Sequence, residues 1–100
     1  MKKQNSKESE IEKLKPKIIE ILRKKGIKKA GIFGSYARGE QKEGSDIDIL
    51  IEPVEGMGLK FVGLNLELEK ELGIKVDLIS YNGINTHLKK YILSDEIRII

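Results

Sequence analysis

The sequence predicts a mixed α/β fold, an α/β or α+β layer in which a small mixed β-sheet is flanked by helices. Three observations lead there. Segments with apolar residues at helical spacing alternate along the chain with short apolar runs of strand length. Glycines stand where the helical segments end, as C-terminal caps do. At 100 residues, 39% hydrophobic and 35% charged, the chain has the size and composition of one globular domain rather than of a disordered segment.

In chain order, residues 1–9 read as a flexible polar N-terminal tail and residues 10–100 as a single domain. Ile11, Leu14, Ile18, Ile21 and Leu22 then recur at helical spacing and Gly26 follows as a cap. Pro16 falls inside this pattern, so the helix is expected either to begin near Lys15 or to bend there. "KAGIF", Lys29–Phe33, is a short apolar strand, and "GSYARGE" a tight turn with about one helical turn. "SDIDILIE", Ser45–Glu52, is a strand stopped by Pro53, and "EGMG" is a loop. Leu59, Val62 and Leu66, with Phe61, Leu64, Leu68 and Leu72, form a helix with a wide apolar face closed by Gly73. "KVDLIS", Lys75–Ser80, is a third strand; Ile84, Leu88, Tyr91 and Ile92 mark a last helix. The ending "EIRII" reads as a short extra strand or as an adhesive terminus.

Composition narrows the function classes. The sequence has no cysteine, which removes disulfides, thiolate metal sites and a thiol nucleophile and suits a reducing compartment. The lysines of "MKKQNSKESEIEKLKPK" precede no apolar core of a signal peptide, and no run of eighteen apolar residues exists, so neither export nor membrane insertion is expected. The expected location is the cytoplasm. The formal net charge is +3, with a basic cluster "RKKGIKK" at Arg23–Lys29. A solvated helix end explains that cluster; attraction of a phosphate-bearing or acidic partner is the alternative, and direct nucleic-acid binding is not expected.

The chemistry concentrates in "GIFGSYARGEQKEGSDIDILIEP", Gly31–Pro53. Strand interiors disfavour Asp, yet two stand one residue apart among isoleucines. Strand side chains alternate, so Asp46 and Asp48 share one face while Ile47, Ile49 and Ile51 take the other. Carboxylates crowded together repel, and a divalent cation with a preference for oxygen ligands converts that repulsion into binding. Asp77 is the one other Asp within an apolar strand, and it completes a trio if its strand lies beside the first. Gly34 and Ser35 follow a strand and open a helical turn, an arrangement that offers backbone N–H groups and a hydroxyl to phosphate. The plainer alternatives are an exposed edge for the Asp pair, pairing with Lys75 for Asp77, and a surface helix position for Arg38. His87 reads as solvated. Tyr36, Tyr81 and Tyr91 read as packing residues, with Tyr36 the one near enough to the turn to meet a nucleotide.

Gly-Ser, ten residues, then Asp-Ile-Asp resembles the signature of the polymerase-β-type nucleotidyltransferase superfamily. The longer run "FGSYARGEQKEGSDIDILI", with "VDLI" after the next helix, is similar to the minimal nucleotidyltransferase group, small partners of HEPN-domain toxins, from about Ile11 to the end. The resemblance implies that group's fold, nucleotide-phosphate contacts at Gly34, Ser35 and Arg38, and a catalytic, metal-binding trio of Asp46, Asp48 and Asp77. It also implies two Mg²⁺ ions, ATP or another NTP as donor, and transfer of a nucleotide to a hydroxyl, with a tyrosine of a HEPN-type RNase toxin as the favoured acceptor. Two other readings stay open: an antitoxin that neutralises by binding alone, through Ile97, Ile99 and Ile100 and the face of Leu59–Leu72, and a subunit of a small-molecule transferase of the aminoglycoside-modifying kind.

Overall fold

The computed structural model describes residues 6–100. Its elements run α1 (Ser6–Lys24), β1 (Ala30–Phe33), α2 (Ser35–Arg38), β2 (Ile47–Ile51), α3 (Lys60–Leu72), β3 (Val76–Ser80), a 3-10 turn (Tyr81–Gly83), α4 (Thr86–Asp95) and β4 (Ile97–Arg98). The backbone of α1 reaches back to Ser6, into the stretch read as tail, whose residues 1–5 lie outside the described residues. Pro16 neither starts nor ends α1, which runs through it although proline offers no N–H to the carbonyl one turn earlier.

The strands form one mixed sheet in the order β3-β2-β1-β4. β1 pairs antiparallel with both β2 and β4, while β2 and β3 are parallel and joined through α3, as a parallel pair requires. The register separates two faces. Ala30 opposite Ile51, Ile32 opposite Ile49, Ile47 beside Val76 and Ile49 beside Leu78 are all buried in one cluster with Ile18 and Leu22 of α1 and Leu64 and Leu68 of α3. This is the core. Gly31 opposite Leu50, Phe33 opposite Asp48, and Asp48 beside Asp77 belong to the other face. Leu50 and Phe33 are buried there yet lie outside that cluster, and α4 packs against β1.

Two open readings are resolved. The apolar face of α3 is split: Leu64 and Leu68 are buried, whereas Leu59, Val62 and Leu66 face solvent at 88%, 57% and 60% exposure. A one-helix layer can bury only one stripe of so wide a face. The terminal residues Ile97, Ile99 and Ile100 are partly buried against the core, and Ile99 donates its N–H to the Ala30 carbonyl at 2.9 Å, so the ending is a strand rather than a free apolar surface. At the opposite edge, α3 side chains serve the N–H groups of β3. Asn65 accepts from Leu78 at 3.0 Å and Glu69 from Val76 at 2.9 Å, which blunts that edge against further pairing. The basic cluster is a solvated helix end: Lys24 pairs with Glu20 and Lys25 with Glu67.

Candidate active site

The second face of the sheet carries the carboxylates. Asp46 stands just before β2, exposed, and Asp48 lies inside it, half-buried. The loop that delivers them is closed at Lys42–Ser45, where the Lys42 N–H donates to Oγ of Ser45 at 2.8 Å and the Ser45 N–H returns to the Lys42 carbonyl at 2.9 Å. Parallel pairing sets Asp77 of β3 directly beside Asp48. Asp77 is exposed, and its negative charge is felt at Asp48, as is that of Asp46. The condition set by the sequence, that β3 lie beside β2, is met.

Burial is the largest cause that pushes the Asp48 carboxyl up to about 6; Asp77 and then Asp46 add to the rise, and Arg38 opposes it. An acid in that position binds its proton two pH units more tightly than in water, and a cation would serve the same end. The hard oxygen donors of the trio fit Mg²⁺. Among the described residues no group of three or more His, Cys, Asp or Glu side chains is gathered closely enough to hold a metal ion by itself. Mg²⁺ does not need one, since it commonly takes one or two carboxylates together with water and substrate phosphate.

The turn at the end of β1 is shaped around Asp48. Gly34 has φ +76, and a Cβ placed on it would collide with the Asp48 carboxylate, so glycine is required both by the backbone and by the close approach of the acid. Ser35 opens α2, a single turn whose Arg38 and Glu40 N–H groups bond the Gly34 and Ser35 carbonyls at 3.1 and 2.8 Å. Three residues after Ser35, Arg38 returns to the same side of the turn. Its Nε donates to Glu40 at 2.9 Å and its Nη1 to Asp95 of α4 at 2.5 Å. Gly34, Ser35, Arg38, Asp46, Asp48 and Asp77 therefore gather at one end of β1, β2 and β3. A neighbouring cleft of about 540 Å³ is lined by Tyr36, Lys42, Ser45 and Lys75 among others, and by none of these six residues.

The remaining candidate residues lie outside the carboxylate cluster. Tyr36 is buried in the core, with its hydroxyl pKa raised first by burial and then by Glu10 and Asp46, so it supports the turn from behind. His87 is exposed on α4. Tyr81 is engaged beyond simple packing: its hydroxyl donates to Glu96 and the Lys29 ammonium stands 4.5 Å from its ring centroid. Asp95, Glu96 and Glu40 were not singled out from the sequence. No local pattern marks Asp95, 57 positions from Arg38. Gly31 was the available signal for Glu96, because a glycine inside a strand marks a close approach, and the Glu96 carboxylate fills the space where a Cβ would stand.

Comparison with known proteins shows the family of the chain. The family described as nucleotidyltransferase domain matches residues 15–100. A Methanocaldococcus jannaschii protein, MJ0435, provisionally named a protein adenylyltransferase, is 53% identical over 91 residues, covering 90% of this chain and 98% of its own length. Protein adenylyltransferase MntA of Thermococcus cleftensis is 38% identical over 81 residues, 80% of this chain and 82% of its own. Among solved structures, a toxin-antitoxin with AMP-PNP superimposes with a TM-score of 0.76 at 27% identity, over 86% of this chain and 72% of that one.

Proposed function

The chain belongs to the nucleotidyltransferase family and is an enzyme of that kind, and from that premise we propose that it transfers AMP from ATP to a hydroxyl on a partner protein. The acceptor we favour is a tyrosine of a HEPN-type RNase toxin, silenced by the modification, so that this chain acts as its antitoxin in the cytoplasm. The observation that carries the reading is the carboxylate trio on an exposed end of the sheet, with Asp48 wedged against Gly34 beside Asp77 and shifted to about 6 by its neighbours and burial. A half-buried acid at such a cost fits a group that binds charge.

In this reading Asp46 and Asp48 would hold Mg²⁺, two ions being the expected number, with Asp77 as the third ligand, and the metal would supply positive charge to the displacement. Gly34 lets the nucleotide approach the backbone, Ser35 offers its hydroxyl to the phosphates, and Arg38 offers its remaining guanidinium N–H groups. The acceptor oxygen attacks the α-phosphorus, the bond from the α-phosphorus to the bridging oxygen breaks, and pyrophosphate leaves. Asp77 is assigned the hydroxyl proton, a role supported by its exposure and its pairing beside Asp48. Orientation and electrostatics carry the acceleration.

Neutralisation by binding alone is the competing reading, favoured by the exposed Leu59, Val62 and Leu66 on α3 and Leu88 and Tyr91 on α4. ATP labelled on its α-phosphate separates the two. Label appearing on the toxin partner with Mg²⁺, and absent when the γ-phosphate carries it, supports transfer; a silenced but unlabelled partner supports binding.

A further inference from the structure

We propose that Asp95, the last residue of α4, is a positioning residue that holds the Arg38 guanidinium ready for the nucleotide phosphates. The inference rests on the transferase reading above and adds α4 to the elements that build the site.

Arg38 is exposed and carried by a helix of one turn, so left alone its long side chain would sample many rotamers. Two carboxylates restrain it instead. Glu40 takes Nε at 2.9 Å and Asp95 takes Nη1 at 2.5 Å. A guanidinium has five N–H donors in a rigid plane, so three remain for a ligand while the plane's orientation is set. The Arg38 charge already reaches Asp48, which places it at the carboxylate end of the sheet. Ordering such a side chain before the ligand arrives removes an entropic cost from binding.

Asp95 can act in this way because its own place is secured. The next residue, Glu96, caps α4, its N–H bonded to the Leu93 carbonyl at 3.3 Å. The Glu96 carboxylate lies over Gly31, in space that a Cβ would fill, and accepts the Tyr81 hydroxyl. Lys29, just before β1, covers the Tyr81 ring. The end of α4 is thus anchored to β1, the strand that runs into Gly34 and Ser35. An ion pair with its side chains 43% and 29% exposed adds little to stability, so anchoring the fold is a poor account of it.

The test compares wild type, Asp95→Ala, Arg38→Ala and the double variant for ATP binding by calorimetry and for KM and kcat of transfer to the partner. Asp95→Ala should weaken ATP binding and raise KM about fivefold, the scale of one partly exposed charged hydrogen bond, with kcat within about twofold. Asp95→Asn, which keeps an acceptor, should recover part of the loss and serves if the alanine variant folds poorly. In the Arg38→Ala background, removing Asp95 should change nothing further. Unchanged or tighter binding in Asp95→Ala, or an equal loss in the Arg38→Ala background, would overturn the positioning role while leaving the transferase intact. A wild-type chain that neither binds nor transfers nucleotide would overturn the function itself, and this inference with it.

Discussion

Replacing Asp48 by asparagine keeps the size of the side chain and removes its charge, in a place where the charge opposes folding. The carboxyl has a pKa of about 6 in the folded chain against 3.8 when unperturbed. Below 3.8 both folded and unfolded chains hold the proton and the group has no effect on stability. Between 3.8 and 6 the unfolded chain releases its proton first, so stability falls as pH rises; above 6 the whole cost is present. Two pH units amount to about 3 kcal/mol at most, and solvent screening of a half-buried group brings this to roughly 1–2 kcal/mol. Asp48→Asn should therefore melt about 5–10 °C above wild type at pH 7.5, without divalent ions, and level with it at pH 3.5. The same variant should transfer nucleotide at least about a hundredfold more slowly, since a charged ligand of the metal has gone. Circular-dichroism melts in chelator at the two pH values provide the check. An equal or lower melting temperature at pH 7.5, or an identical gain at both, would refute the argument from charge.

Other outcomes follow from the same geometry. Gly34→Ala adds a Cβ where the Asp48 carboxylate lies and forces a side chain to φ +76, so it should lose about 1–3 kcal/mol in denaturant titrations and abolish transfer together. Mg²⁺ at ten times its dissociation constant should stabilise wild type by about 1.4 kcal/mol in thermal melts and leave the Asp46→Asn, Asp48→Asn double variant unmoved. Because the Asp48 proton competes with the ion, Mg²⁺ affinity measured by calorimetry should fall as pH drops through about 6. In α3, Leu68→Ala should cost about 2–5 kcal/mol from the core, whereas Leu66→Ala, at 60% exposure, should stay within about 0.5 kcal/mol of wild type.

The elements were legible in the sequence because each carries a local signature. The period-two isoleucines of β2 set Asp46 and Asp48 on one face, and Gly73 closes α3 in the left-handed conformation that a cap requires, φ +71. Gly34, Ser35 and the Asp pair were legible because they lie on one short segment whose order has chemical meaning. What was hidden depends on packing between distant segments. The periodicity of α3 shows which residues are apolar but not which stripe wins the core, which goes to Leu64 and Leu68 and leaves Leu59, Val62 and Leu66 exposed. The ending Ile97–Ile100 was ambiguous for a similar reason, since two residues of strand carry no period and only β1 defines them. For Arg38 a surface position and a phosphate contact stayed open alternatives, because its partner Asp95 comes from the other end of the chain.

The most direct test of the account is the intact mass of the toxin partner after incubation with this chain, Mg²⁺ and each NTP in turn, beside the Asp46→Asn, Asp48→Asn variant. The account predicts a gain equal to one or more AMP units with ATP and none with the variant. An unchanged partner mass with every NTP, while the two proteins still bind and the toxin is still silenced, would contradict it.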